Sequence, residues 1–312
     1  MFSNLLRLGL LVLLPLGSNA PQSVGKPQDE PGPYTLTVPV DEVSLTFHAS
    51  DFHGMPIEDL TERDLRLLDD GKRQDRILSF QAFRNLPIRA GILFDTSRSM
   101  EGLWRNQDIA TMYATRLLRK ETDQAFVMRF DSATKVKQSW TNDAALLTES
   151  LRTIALDRES RLGGTVLFDS LYKACRDQWT SDRDAITGNF ILLFTDGLDN
   201  ASHARLEDVI DICQQARTAI YVFSEEAKSF HAEGQKTLNE LVKKSGGRIF
   251  FDATGAEVWN DLRIMESDQR SQYRIVYKPS SLKPDGSFHR IKLDSPTRGG
   301  VITTRSGYYA AR

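Results

Sequence analysis

The chain has 312 residues, of which 26% are charged and 40% hydrophobic, as in an ordinary globular protein of about two domains. The net charge of −2 comes with no long run of one sign, which argues against a nucleic-acid binder or a surface held on anionic lipid. Two cysteines are too few for a disulfide-dense scaffold or an iron–sulfur protein. The five histidines show no close His/Cys spacing, which disfavours a zinc enzyme.

Residues 1–20 have the pattern of a secretory signal peptide. Arg7 gives the positive start, and the sequence SNA gives a small-x-small cleavage site. The apolar run at residues 8–16 is about half of the ~20 residues that a membrane span needs. We therefore expect an exported protein, periplasmic, secreted or at the cell surface, without stable membrane insertion after cleavage. An uncleaved N-terminal anchor is the alternative. Export would allow Cys175 and Cys213 to pair, which the sequence leaves open.

Two β-rich segments flank the middle of the chain. Residues 21–33, rich in Pro, Gly and polar residues, predict an extended linker. An N-terminal β segment (34–86) and a C-terminal β segment (271–312) follow the period-two alternation of strands. Each is only ~40 to 50 residues, a size at which a lone domain is marginal, so we expect them to pair into one small β-sandwich; two separate β modules are the alternative. The strand candidates are 43–47, 77–83, 273–277, 288–293 and 301–304.

The middle segment, residues 87–270, alternates short apolar runs with helical patterns. This alternation predicts an α/β fold with a doubly wound, mostly parallel sheet of Rossmann-like type. Ligands of such sheets bind outside the carboxyl ends of the strands. The predicted strands are 90–94, 125–130, 190–195, 219–223 and 249–251, and the predicted helices are 108–118, 146–154, 167–179, 206–216, 234–244 and 256–268.

Oxygen-bearing side chains follow the ends of two predicted strands. Asp95, Ser97 and Ser99 come after the first buried strand, and Asp196 follows the central one. A Gly-Gly-Thr turn between them carries Thr165. Carboxylate and hydroxyl oxygens, with no sulfur or imidazole, suit Mg²⁺ or Mn²⁺. The sequence therefore predicts a metal site of these five residues.

The ordered set D-x-S-x-S, Gly-Gly-Thr and T-D-G resembles the metal-ion-dependent adhesion site (MIDAS) of von Willebrand factor type A (VWFA) domains. The resemblance covers the whole middle segment. The flanking sequences DLRLLDDGKRQ at 64–74, YRIVYKP at 273–279 and the closing GYYA are similar to the secreted bacterial VWFA-related family named for Acidobacteria. The resemblance implies that Ser97, Ser99 and Thr165 bind the metal directly and that Asp95 and Asp196 act mainly through bound water.

The function that the resemblance implies is binding, not catalysis. Mg²⁺ (or Mn²⁺) with one open position would accept an Asp or Glu side chain of a partner protein. In some type A domains ligand engagement moves the last helix, which here leads directly into the C-terminal β segment. One alternative is a Mg²⁺-dependent envelope hydrolase, although an aspartyl phosphatase has D-x-D where this chain has Asp95-Thr96-Ser97. Another is a structural envelope subunit whose metal only braces loops.

Three neighbours of the predicted site are interpreted without a metal role. Asp199 is expected to be a surface turn residue, Trp104 to lie in the core, and His203 to be a surface histidine with no nucleophile to serve.

Overall fold

The computed structural model describes residues 42–100, 103–154, 164–179, 186–224, 232–251, 255–280 and 285–310. The predicted signal peptide, the linker and the first residues of the N-terminal β segment lie outside this part of the chain. Among the described helices, none combines the length and the apolar character needed to cross a membrane.

Along the described chain, a middle segment of alternating strands and helices lies between two β-rich segments. The strands are β1 Val43–Ser50, β2 Arg66–Asp69, β3 Lys72–Arg73, β4 Ile77–Phe83, β5 Ile88–Asp95, β6 Gln124–Phe130, β7 Thr134–Thr141, β8 Gly188–Phe194, β9 Thr218–Ser224, β10 Ile249–Phe251, β11 Gln272–Tyr277, β12 Phe288–Asp294, β13 Val301–Thr304 and β14 Gly307–Tyr309. The helices are α1 Leu103–Arg116, α2 Ala144–Thr153, α3 Leu167–Gln178, α4 Leu206–Gln215, α5 Ala232–Ser245 and α6 Gly255–Arg270.

The middle of the chain forms one sheet in the order β10-β9-β8-β5-β6-β7. All neighbouring pairs are parallel except β6 and β7. Residues of α1, α2 and α6 pack on one face, and residues of α3, α4 and α5 pack on the other. Burial on both faces explains the continuous apolar runs of the central strands. The predicted doubly wound α/β fold is thus confirmed.

Strand β7, at the edge of this sheet, is not among the predicted strands. Its sequence, TKVKQSWT, carries two lysines and is only partly buried. An edge strand covers one neighbour and leaves much of its surface in water, so it needs no continuous apolar run. The register between β6 and β7 also shifts twice, which further obscures the two-residue period.

The two flanking segments combine into one β-sandwich, as predicted. One sheet has the order β13-β1-β11-β4 and the other β14-β12-β2-β3, so each sheet contains strands from both ends of the chain. Leu45 pairs with Ile275 in the first sheet, and Leu67 pairs with Leu293 in the second. These side chains belong to one buried apolar cluster, which contradicts the alternative of two separate β modules.

Helix α6 is attached to the sandwich by a buried polar group. His48 of β1 lies 2.8 Å from the carbonyl oxygen of Ser271 through Nδ1 and 2.9 Å from a carboxylate oxygen of Asp268 through Nε2. The other carboxylate oxygen of Asp268 accepts a 3.1 Å hydrogen bond from Arg248. His48 and Asp268 are both almost completely buried. The end of α6 and strand β1 are therefore held together as one unit.

The open question of the cysteines is answered by a disulfide bond between Cys175 and Cys213. The bond links α3 to α4 on one face of the central sheet, where both residues are buried.

Candidate metal centre

The predicted site lies where the central sheet reverses its strand order. Strands β5 and β8 are parallel neighbours with Phe94 opposite Phe194. From β5 the chain continues to β6 on one side, and from β8 it continues to β9 on the other. The loops that leave these strands therefore diverge at the carboxyl ends, the usual ligand position in such sheets. Asp95 ends β5, and Asp196 follows β8 by two residues.

Asp95 is a buried carboxylate with both oxygens oriented by hydrogen bonds. Oδ1 accepts from the backbone N–H of Ser97 at 2.9 Å, and Oδ2 accepts from the hydroxyl of Thr195 at 2.7 Å. Burial raises the pKa of Asp95 to about 6, against the lowering effect of its bonds to Ser97 and Thr195, and the charge of Asp196 adds to the rise. A cation at this position would favour the ionised carboxylate, because opposite charge offsets desolvation.

Two serine hydroxyls lie beside this carboxylate. The Oγ atoms of Ser97 and Ser99 are 3.2 Å apart, with Ser97 buried and Ser99 exposed. The loop that follows β5 is fixed to β6, because the backbone N–H of Thr96 donates a 2.7 Å hydrogen bond to the carbonyl of Phe130. The two hydroxyls are thus close enough to contact a single ion.

The loop after β8 carries Asp196 and turns sharply behind it. Gly197 has a φ of +82°, and a Cβ atom there would collide with the carbonyl of Gly234 and the side chain of Leu238. The half-buried Asp196 accepts a 3.1 Å hydrogen bond from the backbone N–H of Leu198. Glycine at position 197 is therefore needed both for the left-handed backbone and for the close approach of α5.

Thr165 is docked onto the same loop. Its backbone N–H donates a 2.7 Å hydrogen bond to the side-chain oxygen of Asn200, and its carbonyl accepts from the backbone N–H groups of Asn200 and Ala201 at 3.2 Å. A side chain at Gly164 would collide with those of Asn200 and Ala201. The structure thus brings Thr165 to the carboxyl ends of the strands, where Asp95 and Asp196 also lie.

Asp199 connects the loop after β8 to helix α3, a role that was not predicted for it. It is half-buried, not a free surface turn residue. One carboxylate oxygen accepts from the backbone N–H of Phe168 at 2.8 Å and from the hydroxyl of Ser202 at 2.6 Å. Asp199 therefore fixes the loop after β8 to the first turn of α3, the helix that follows Thr165. A polar residue three positions after Asp196 was the only signal available in the sequence.

Trp104 and His203, two neighbours of the predicted site, are both exposed. Trp104 in the first turn of α1 is 68% exposed, so the expectation that it lies in the core is wrong. Its helix turns this position toward solvent and buries other residues, such as Tyr113, against the sheet. His203 is a surface histidine with a 97% exposed side chain, and its Nδ1 lies 3.2 Å from Asp169.

The donor set of these loops fits Mg²⁺ or Mn²⁺. Two carboxylates and three hydroxyls supply only oxygen, and a hard divalent cation would fill its remaining positions with water. Ser97, Ser99 and Thr165 are the residues that could bind such an ion directly, with Asp95 and Asp196 beside them. The sequence marks Thr195 only as part of T-D-G and does not mark Asn200, because their contacts with Asp95 and Thr165 join different loops.

The likeness of this chain to known proteins lies in structure and not in sequence. No protein-family model matches the chain, and no curated protein matches its sequence. Proximal thread matrix protein 1 from the mussel byssus is 13% identical with a TM-score of 0.49, over 64% of this chain and 51% of that one. This chain thus spans about half the length of the mussel protein, one structure of which has a zinc-occupied MIDAS motif.

Two bacterial structures are similar over nearly their whole length. BatB from Bacteroides thetaiotaomicron is 12% identical with a TM-score of 0.45, over 58% of this chain and 97% of that one. The vWF domain of the type V pili tip protein Mfa5 from Porphyromonas gingivalis is 12% identical with a TM-score of 0.47, over 57% and 95%. At these scores the assignment of the α/β fold rests on the strand order and packing described above.

Proposed function

We propose that this protein is an exported, metal-dependent protein-binding module of the secreted bacterial VWFA-related type. Mg²⁺, or Mn²⁺, is held by Asp95, Ser97, Ser99, Thr165 and Asp196 and accepts an Asp or Glu carboxylate of a partner protein. The observation that carries the proposal is the cluster of hard oxygen donors at the reversal point of the sheet.

The charge of the site favours an anionic partner. Asp95 and Asp196 act mainly through bound water, so few protein charges touch the ion directly and it stays electrophilic. The hydroxyl ligands are neutral, so a further carboxylate can bind at an open position. Arg98 and Trp104 are close in sequence to Ser97 and Ser99, and both side chains are exposed. Arginine and tryptophan are enriched at binding hot spots.

Export is supported by the disulfide between Cys175 and Cys213, because such bonds persist in oxidising compartments. The predicted signal peptide agrees with this. The mature protein is then periplasmic, secreted or at the cell surface, and fractionation of the producing cells distinguishes the three locations.

Thermal unfolding of the mature protein in EDTA, Mg²⁺ and Mn²⁺ tests the metal site. A metal at about 100 times its dissociation constant stabilises the native state by about 2.7 kcal/mol, which corresponds to a rise of roughly 5 °C in melting temperature. Ser97→Ala and Asp196→Ala should abolish the rise, whereas Ser139→Ala, at an exposed serine of β7, should keep it. If calorimetry also detects no metal binding to the wild type, the proposal is wrong.

Partner recognition is tested with paired peptide libraries that differ only in having Asp and Glu or Asn and Gln. Immobilised protein should retain acidic peptides in Mg²⁺ and release them in EDTA. Retention that is indifferent to EDTA would favour the structural subunit, whose metal only braces loops. Turnover of phosphatase or esterase substrates that is lost in Asp95→Ala would favour the envelope hydrolase.

A further inference from the structure

The β-sandwich contains a second group of metal-binding side chains, in a different sheet from the candidate metal centre. Asp69 ends β2, Asp70 follows it in the turn to β3, and His289 lies in β12. One ligand atom of each residue lies within 4.8 Å of the other two. Nδ1 of His289 is 2.9 Å from a carboxylate oxygen of Asp70 and 4.0 Å from one of Asp69.

The backbone fixes this arrangement from both strands. Asp70 and Gly71 have φ values of +47° and +77°, as in the tight turns that join β-hairpins. The turn is locked to β12, because the backbone N–H of Asp70 donates to the carbonyl of Arg290 at 2.8 Å. In return the backbone N–H of Arg290 donates to the carboxylate of Asp70 at 2.9 Å. Asp70 is therefore held over the strand that carries His289.

Asp69 is oriented by neutral donors. It is buried, and its Oδ2 accepts hydrogen bonds from the hydroxyls of Tyr277 and Tyr308, at 2.8 and 3.0 Å. Both tyrosine hydroxyls are uncharged donors. They orient the carboxylate without neutralising its charge, and they leave Oδ1 on the side of His289.

The imidazole of His289 is held by a stacking contact and by a polar contact. Its ring stacks on that of Tyr308, with centroids 5.1 Å apart and planes 11° apart. Nε2 lies 3.3 Å from the hydroxyl of Ser287. A partner on one ring nitrogen is the usual arrangement for a histidine whose other nitrogen binds a metal. Nδ1 is thereby presented to the two carboxylates.

A cavity of about 210 Å³ opens at this group. Asp285 and Ser287 line it together with the three residues, so a further carboxylate is at hand. Water occupies roughly 30 Å³ in the liquid, and the cavity therefore has room for an ion with bound water. Lys72 also lines the cavity, and its flexible, exposed side chain would have to turn away from an incoming cation.

We propose that Asp69, Asp70 and His289 form a second metal site, which binds Zn²⁺. One imidazole nitrogen and two carboxylate oxygens are ligands that Zn²⁺ accepts, with water in the fourth position. Mg²⁺ prefers oxygen ligands alone. The bound ion replaces the direct contact of His289 with Asp70 and ties the β2–β3 turn to β12. The site shares no residue with the candidate metal centre, so either can be absent while the other is present.

Zinc calorimetry on the mature protein tests this site, with an excess of Mg²⁺ present to occupy the candidate metal centre. The wild type should bind one Zn²⁺ per chain. His289→Gln should weaken binding at least about 100-fold, since loss of a ligand costs more than the 10–100-fold of an outer-shell partner. His53→Gln, at an exposed histidine in the β1–β2 loop, should bind as the wild type does.

A second variant separates loss of the ligand from loss of the fold. Asp70→Asn keeps the shape of the turn, because asparagine tolerates a positive φ, and it should also weaken Zn²⁺ binding with the circular dichroism spectrum unchanged. Asp196→Ala should keep Zn²⁺ binding. Failure of the wild type to bind Zn²⁺, or loss of binding in Asp196→Ala but not in Asp70→Asn, would overturn the proposal.

Discussion

The hydroxyl of Thr195 donates a 2.7 Å hydrogen bond to Oδ2 of Asp95 and so joins the ends of β8 and β5. The same hydroxyl accepts from the backbone N–H of Gly197 at 3.2 Å. One small polar side chain therefore sets the orientation of a buried carboxylate and supports the loop that carries Asp196.

Thr195→Val should weaken Mg²⁺ binding by about 10–100-fold, because it removes this donor while keeping the volume of the side chain. Thr195→Ser should bind nearly as well as the wild type, since it keeps the hydroxyl. Calorimetric titration of the two variants makes the comparison. Equal affinities of the valine and serine variants would show that the hydrogen bond does not support the metal site.

Gly197→Ala should destabilise the protein by at least about 2 kcal/mol. The left-handed backbone alone costs an alanine roughly 1–2 kcal/mol, and the new methyl group also meets the backbone of Gly234. Gly255→Ala is the control, because nothing lies within 4 Å of its Cβ position in the first turn of α6. Urea unfolding should separate the two variants, and a stable Gly197→Ala protein would contradict the described loop.

Loss of the disulfide between Cys175 and Cys213 should lower the free energy of unfolding by about 3–4 kcal/mol. The bond closes a loop with a sequence separation of 38, whose entropy in the unfolded chain it restricts. The double variant Cys175→Ser with Cys213→Ser should therefore unfold at lower urea concentration than the wild type. Dithiothreitol should destabilise the wild type and leave the double variant unchanged; an effect on both would point to another cause.

Asp123, just before β6, and Arg270, at the end of α6, form a buried ion pair. This pair should make the free energy of unfolding depend on pH in the acid range. Burial alone would raise the pKa of Asp123, but hydrogen bonds from Arg270 and from backbone N–H groups outweigh it and lower the pKa. A lowered pKa in the folded state gives stability that is complete above the unfolded value of about 3.9 and is lost as the pH falls through the folded value.

Asp123→Asn should accordingly cost about 3 kcal/mol near neutral pH, since it leaves Arg270 without this partner. The difference from the wild type should shrink as the pH falls below about 4, because the carboxyl of the unfolded wild-type chain is protonated there, and it should be lost once the pH falls through the lowered pKa of the folded carboxyl. Glu149→Gln is the matched control, because Glu149 pairs with Arg152 on the surface, and this variant should change stability little at any pH. Urea unfolding at several pH values gives the comparison; a pH-independent difference would contradict the assignment.

The sequence predicted the features that depend on local pattern. The central strands are buried on both faces, so their apolar runs could be read directly, and the turn carrying Thr165 was marked by its two glycines. Strand β7 escaped because an edge strand carries charge. Trp104 was misplaced because one residue does not reveal which face of α1 meets the sheet.

Contacts between distant segments could not be read from the chain. His289 and Asp70 are 219 residues apart, so no spacing rule brings them together. Only the pairing of β2 with β12 places them side by side. The roles of Thr195, Asp199 and Asn200 were hidden for a similar reason, since each acts on a residue of another loop.

The insertion of the α/β middle into the sandwich has a mechanical consequence. Phe83, the last residue of β4, pairs with Gln272, the first residue of β11, so the chain enters and leaves the inserted domain at one point. Tension applied along the chain from its two flanking segments is carried by the hydrogen bonds of the sandwich, including those between β4 and β11. The loops around Asp95 and Asp196 lie beyond that point and bear none of the load until those bonds break, so such a pull would leave the candidate metal centre undisturbed.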